Sequence, residues 1–243
     1  MADALEAAGH VAVCPVLPGH AASEAEYLAS SYAEWLDCAR AAYLDQCSSG
    51  PVLLAGYSLG GLLALDIAAE AAEGRLPAPA GLLLLATPFF LWRMHPFFLA
   101  DWRMALLPLW HHLQPVRRVP PRSAASRAVA PWQGHETLCS YLHLQQLAQA
   151  QKRVRAALGN ICAPLCAVQL YSDGVCPPFN SSFLVEHCGA TDARLHLLRA
   201  TSPHGGHLPT THVETRERVA AIAVAFASEV AAGKACKIAP QRI

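Results

Sequence analysis

The stretch that most constrains this chain is Pro51 to Glu70, PVLLAGYSLGGLLALDIAAE. The apolar run Val52, Leu53, Leu54, Ala55 predicts a buried strand. Gly61-Leu62-Leu63-Ala64-Leu65 opens an apolar helix, and Gly56-Tyr57-Ser58-Leu59-Gly60 lies between the two. A Gly-x-Ser-x-Gly segment at a strand-to-helix junction has the form of a nucleophile elbow. The serine sits on a sharp, strained turn, so Gly56 and Gly60, two before it and two after, are the positions expected to lack bulk. Its hydroxyl then projects above the sheet. The N–H of Leu59, at the helix start, points where negative charge would develop on an acyl oxygen. The blander alternative is a Gly-rich turn without chemistry. A lone hydroxyl is a weak nucleophile, so a base and an orienting acid must follow.

The rest of the chain alternates strands and helices. Ala2–Ala8 reads as the end of a helix stopped by Gly9, and Val11-Ala12-Val13-Cys14 as a short buried strand. Ser30 or Ser31 caps a helix reaching about Gln46. Gly81–Ala86 (GLLLLA), Leu165–Tyr171 (LCAVQLY) and Arg194–Leu198 are further strands, with helices over Asn180–His187 and Val213–Ala232. Such alternation predicts a parallel sheet with helices on both faces. All its strands end on one side. Ser58, Asp173 and His207 each follow a strand end, so they are expected to converge.

Composition shifts at Thr87. Between Pro88 and Trp132 lie Phe89, Phe90, Trp92, Phe97, Phe98, Trp102 and Trp110 among several prolines. A helix follows from Tyr141 to Leu158, its apolar side formed by Leu142, Leu144, Leu147 and Val154. Residues 88–160 are expected to form a helical cap, with 1–87 and 161–243 forming the core. A lobe inserted after that strand would sit over the C-terminal strand ends, where α/β sheets bind ligands.

The 243 residues are 53% apolar, enough for a sizeable core, and the formal net charge is zero. No basic face points to nucleic acid and no charge block to a tail. No apolar run has the length of a membrane span, and the first residues do not form a signal peptide. The nine cysteines are scattered, with no Cys-x-x-Cys pair. Reduced thiols in a cytoplasmic protein are the expectation.

Asp173 lies in the turn after its strand, beside Gly174. It either bonds its own turn or accepts the N–H of an imidazole and holds the tautomer that presents the other nitrogen to Ser58. Two histidines compete for the base, His204 and His207. Gly205-Gly206 permit a tight loop before His207, which favours His207. His20 also follows a strand end and is a candidate for the mouth of the site.

Leu17-Pro18-Gly19-His20, Gly56-Tyr57-Ser58-Leu59-Gly60-Gly61, Ser172-Asp173-Gly174-Val175-Cys176-Pro177-Pro178 and Gly206-His207 fall in one order along the chain. Together they resemble the bacterial carboxylesterases and monoacylglycerol lipases of the α/β-hydrolase superfamily, over roughly residues 2–231. The resemblance implies an α/β-hydrolase fold with a helical cap. It implies Ser58 as nucleophile, His207 as base, Asp173 as acid and Leu59 as oxyanion donor, with no metal or organic cofactor. The implied partner is a small-molecule ester or lipid-like substrate with an apolar acyl chain. A peptidase or thioesterase of the same fold, or a binding protein with an impaired site, is the alternative. Two departures stand out. The family usually carries an aspartate four or five residues beyond the histidine, where this chain has His212. Family chains also begin upstream, with strands and a His-Gly loop that supplies a second oxyanion N–H. Here Met1 falls in the helix after that loop, so the expectation is a shortened gene model of a longer esterase.

Overall fold

A computed structural model of the chain describes residues 1–90, 109 and 112–233. The helices described are α1 (Ala2–Ala7), α2 (Glu24–Ala29), α3 (Tyr32–Cys47), α4 (Leu59–Ala72), α5 (Ala124–Val129), α6 (Tyr141–Ala157), α7 (Phe179–His187) and α8 (Arg216–Ala231). The strands are β1 (Leu53–Tyr57), β2 (Gly81–Leu85), β3 (Val116–Arg118), β4 (Leu138–Ser140), β5 (Leu165–Leu170) and β6 (Ala193–Leu198). Four of them form a parallel sheet in the order β1-β2-β5-β6, while β3 and β4 pair antiparallel.

The apolar runs explain the layers. All five residues of β2 and all six of β5 are buried, as strands covered on both faces must be. Side chains alternate across the pleat. Leu82, Leu84, Leu165 and Ala167 enter one cluster with Trp35 of α3, Leu62 and Leu65 of α4, and Ala150 and Val154 of α6. Leu83, Leu85, Cys166 and Val168 enter the other with Val219, Ala223 and Phe226 of α8. Helices therefore cover both faces of the sheet, as the alternation of elements predicts. No described helix is long and apolar enough to cross a membrane.

Two expectations need correction. Val11–Cys14 is not a buried strand: the segment has no regular secondary structure, Val11 is 87% and Val13 49% exposed, and neither pairs in a sheet. A strand is held by a neighbour's backbone groups, and among the described residues β1 stands at the edge of the sheet with no strand beyond it. The chain is tied to α3 just after this segment, where Trp35 Nε1 donates to Pro18 O at 2.9 Å. Next, α6 turns only part of its expected apolar side inward: Val154 is buried and Leu147 packs against the core. Leu142 is exposed, while Tyr141, His143, Ala150, Gln151 and Val154 are buried. Two of the buried polar side chains bond backbone carbonyls: Gln151 Nε2 donates to Pro88 O at 2.7 Å, and His143 Nε2 bonds Ser30 O at 2.8 Å. The short helix α2 starts at a full capping box formed by Ser23 and Glu26.

Candidate active site

The elbow begins with a backbone conflict. Ser58 has φ 50° and ψ −116°, outside the regions an ordinary residue prefers. Ala86, at the end of the neighbouring strand β2, has φ 48°. These are the two non-glycine residues with positive φ among those described. The strain is held by packing on both sides. Ser58 N–H donates to Leu85 O at 2.8 Å, and Ser58 O accepts from Gly61 N–H at 2.9 Å. The first turn of α4 passes directly over the end of β1. A Cβ on Gly56 would lie 2.3 Å from Gly60 O, and one on Gly61 would lie 2.0 Å from Thr87 Oγ1. A Cβ on Gly60 would meet nothing within 4 Å. The crowded pair is thus Gly56 and Gly61, not Gly56 and Gly60. Backbone cannot retreat as a side-chain tip can. Gly56→Ala is therefore expected to cost about 2–4 kcal/mol, whereas Gly60→Ala should be neutral or stabilise by up to about 1 kcal/mol, being a helical glycine in open space. Urea midpoints of the two variants check this, and equal losses would contradict it.

The acid loop follows β5. Asp173 is 3% exposed, and a buried carboxylate must be fully hydrogen-bonded. Its Oδ1 accepts the N–H groups of Val175 (2.8 Å) and Cys176 (2.9 Å). Its Oδ2 accepts from Gln169 Nε2 at 2.7 Å and bonds His207 Nδ1 at 2.8 Å. One oxygen of Asp173 therefore bonds its own turn and the other faces the imidazole of His207.

His207 rides on the loop after β6. Its neighbour Gly205 has φ +71°, and a Cβ on Gly206 would lie 2.6 Å from Ser172 O. The His loop therefore packs backbone to backbone on the acid loop. His207 Nε2 stands 3.0 Å from Ser58 Oγ. His204 is exposed and does not share this place. His212, where the family resemblance leads one to seek an aspartate, is fully buried. Its ring bonds His204 O at 3.2 Å and accepts the Glu214 N–H at 3.2 Å, so it braces the loop that carries His207. Tyr57 lies beside the imidazole, ring centroids 5.4 Å apart. Burial, and then the Asp173 charge, push its phenol well above the usual tyrosine range.

Leu59 is the first residue of the 14-residue α4. Its N–H is among those that helix geometry leaves without an intrahelical acceptor, at the positive end of the helix dipole. Ser58, His207, Asp173 and Leu59 are thus brought to one place from three strand ends and a helix start. The His20 ring packs edge-on against Tyr27 and Trp35, at 5.7 and 5.1 Å. Trp92, Phe97, Phe98, Trp102 and Trp110 lie outside the described residues. Phe90 is described, and packs 5.5 Å from Phe179 and 4.9 Å from Phe183. Sequence reasoning missed Gln169, the lone polar residue of β5 and a direct partner of Asp173. An amide inside an otherwise apolar buried run was the available signal. Among the described residues, no cluster of three or more His, Cys, Asp or Glu has the arrangement of a metal site.

No match to the chain is found among curated protein sequences. Several solved structures share its fold at low identity. A structure reported for LipS and LipT, two metagenome-derived lipolytic enzymes, aligns with a TM-score of 0.76 at 19% identity, covering 94% of this chain and 86% of that one. The monoacylglycerol lipase of Paleococcus ferrophilus aligns at 0.63 and 18% identity, over 83% and 76% of the two chains. A soluble variant of the Saccharomyces cerevisiae monoglyceride lipase, in complex with a substrate analog, aligns at 0.65 and 14%, over 83% and 70%. The model of the alpha/beta hydrolase family matches residues 2–222. With parallel strands ending at a serine elbow, an acid turn and a histidine loop in that order, the chain belongs to the alpha/beta hydrolase family.

Proposed function

We propose that this protein hydrolyses carboxylic esters with an apolar acyl group, with Ser58 as nucleophile, His207 as general base and Asp173 as the orienting acid. The observation that carries the reading is the hydrogen-bonded chain from Ser58 Oγ to His207 Nε2 (3.0 Å) and from His207 Nδ1 to Asp173 Oδ2 (2.8 Å). Asp173 cannot donate while ionised, so it selects the tautomer with the proton on Nδ1 and leaves Nε2 bare toward the serine. Ser58 Oγ attacks the ester carbonyl as His207 takes its proton. The oxyanion forms against the Leu59 N–H. His207 then protonates the departing alcohol, and a water deprotonated by the same ring releases the acid.

Several features favour an apolar acyl chain. Phe90, Phe179 and Phe183 cluster after β2 and after the acid loop, and Phe179 and Val175 remain about half exposed there (46% and 59%). In this reading residues 88–160 form the cap over the site. Of its two clear acids, Glu136 is bound by Arg127 at 2.7 Å and Asp101 lies outside the described residues. That leaves little in the described part of the cap to hold a substrate ammonium, which favours an ester over a peptide. The lipolytic neighbours support the same class.

The test is hydrolysis of p-nitrophenyl butyrate and a longer-chain p-nitrophenyl ester, alongside labelling with a fluorophosphonate. Turnover with labelling at Ser58 is expected. Labelling without ester turnover would move the substrate to an amide or thioester. Neither, in folded protein, would overturn the reading in favour of a binding role.

A further inference from the structure

Gln169 is 0% exposed in a strand whose other residues, Leu165, Cys166, Ala167, Val168 and Leu170, are all apolar. Packing alone would be served by leucine, and a buried amide is costly unless its polar atoms are paired. Here they are paired in one direction only. Ser181 Oγ donates to Gln169 Oε1 at 2.9 Å. Gln169 Nε2 donates to Asp173 Oδ2 at 2.7 Å and to Cys176 O at 2.9 Å. Neither a carboxylate nor a carbonyl can donate, so the amide cannot be flipped without facing an acceptor with an acceptor. Ser181 is 2% exposed on α7. The chain of bonds therefore ties α7 through β5 to the one carboxylate oxygen that also faces His207.

We infer that Gln169, held by Ser181, is a positioning residue that fixes the Asp173 carboxylate in line with His207 and lowers the basicity of Oδ2. The inference rests on the triad reading above. The backbone N–H groups of Val175 and Cys176 hold only Oδ1. Gln169 supplies the second point that stops the carboxylate turning about its own bond. A second donor on Oδ2 also spreads the charge there, so the proton stays on the imidazole and the imidazolium is held less tightly between turnovers. Other titratable and charged groups nearby are Tyr57 and Cys176, both pushed up by burial, the guanidinium of Arg122 facing Tyr57, and His204, His212 and Glu214 in the His loop.

The experiment compares the full chain with its Gln169→Leu, Gln169→Glu and Ser181→Ala variants in p-nitrophenyl butyrate hydrolysis from pH 5 to 9. Folding is checked by circular dichroism. Gln169→Leu is expected to lower kcat about tenfold with little change in KM. It should also raise the half-maximal pH of the acidic limb by about one unit, because a more basic Oδ2 favours the protonated, inactive ring. Gln169→Glu sets two carboxyls too close for both to ionise, so the protonated acid donates to Oδ2 in place of the amide and should keep the acidic limb close to that of the wild type. Ser181→Ala should move the limb the same way as Gln169→Leu, by less, and reports even where Gln169→Leu does not fold. A merely structural role would lower stability and leave the acidic limb in place, and that result in the folded Gln169→Leu and Ser181→Ala variants would overturn the inference. The low-field proton NMR signal of His207 Nδ1–H, assigned by its loss in His207→Ala, is a readout independent of turnover. A wild type that shows the signal but neither hydrolyses the ester nor takes the fluorophosphonate would end the triad reading alone. A signal unmoved in Gln169→Leu and Ser181→Ala would end this one.

Discussion

Ser58→Ala is expected to lower kcat for p-nitrophenyl butyrate by about 10⁴- to 10⁶-fold, to the level that binding and the oxyanion donor sustain without a nucleophile. Fluorophosphonate labelling should vanish with it. The substitution removes one oxygen and leaves the His207–Asp173 bond untouched. The backbone at Ser58, at φ 50°, is as unfavourable for alanine as for serine, so the urea midpoint should shift by less than about 1 kcal/mol equivalent. That separation of activity from stability makes the test clean. A variant keeping more than a tenth of the wild-type rate would remove Ser58 from the chemistry, whatever its distance from His207.

The second large effect is expected of Asp173→Asn. The two backbone donors on Oδ1 would hold the amide oxygen where that carboxylate oxygen now lies. The amide NH₂ would then face two groups that now donate to Oδ2, Gln169 Nε2 and His207 Nδ1–H. The imidazole can relieve its half of that conflict only by moving its proton to Nε2, which leaves nothing to accept the Ser58 proton. The kcat should fall by roughly 10³- to 10⁴-fold, as expected when a triad histidine is locked in the wrong tautomer. Stability should fall as well, by about 1–3 kcal/mol, because Gln169 is left with a donor against a donor in a dry site. Stopped-flow hydrolysis and urea unfolding of the same preparation measure both. A kcat within tenfold of wild type would reduce Asp173 to a turn residue.

Much of this site is visible in the chain itself. The elbow, the strands at Leu165 and Arg194 and the order of serine, acid and histidine are local patterns, because a strained turn and a doubly covered strand leave short signatures. His207 rather than His204 follows from Gly205-Gly206, and the close approach of Gly206 to Ser172 gives that spacing its cause. Other features were not legible. Val11–Cys14 has the composition of a strand, but composition carries no information about whether a neighbouring strand is there to pair with it. The buried side of α6 includes His143 and Gln151, which dock on Ser30 and Pro88, partners distant in sequence that the leucine pattern does not announce.

By itself the sequence determined an α/β chain with a serine elbow, an acid turn and a histidine loop at strand ends, because turn strain and residue periodicity act over a few residues. Only the tertiary structure decided which glycines the elbow cannot lose, that the segment at Val11 pairs with no described strand, and that Gln169 and Ser181 stand behind Asp173. Those depend on what each buried group meets from another part of the chain. A buried polar atom's need for a partner is general, while the identity of that partner is set by packing over long sequence separations.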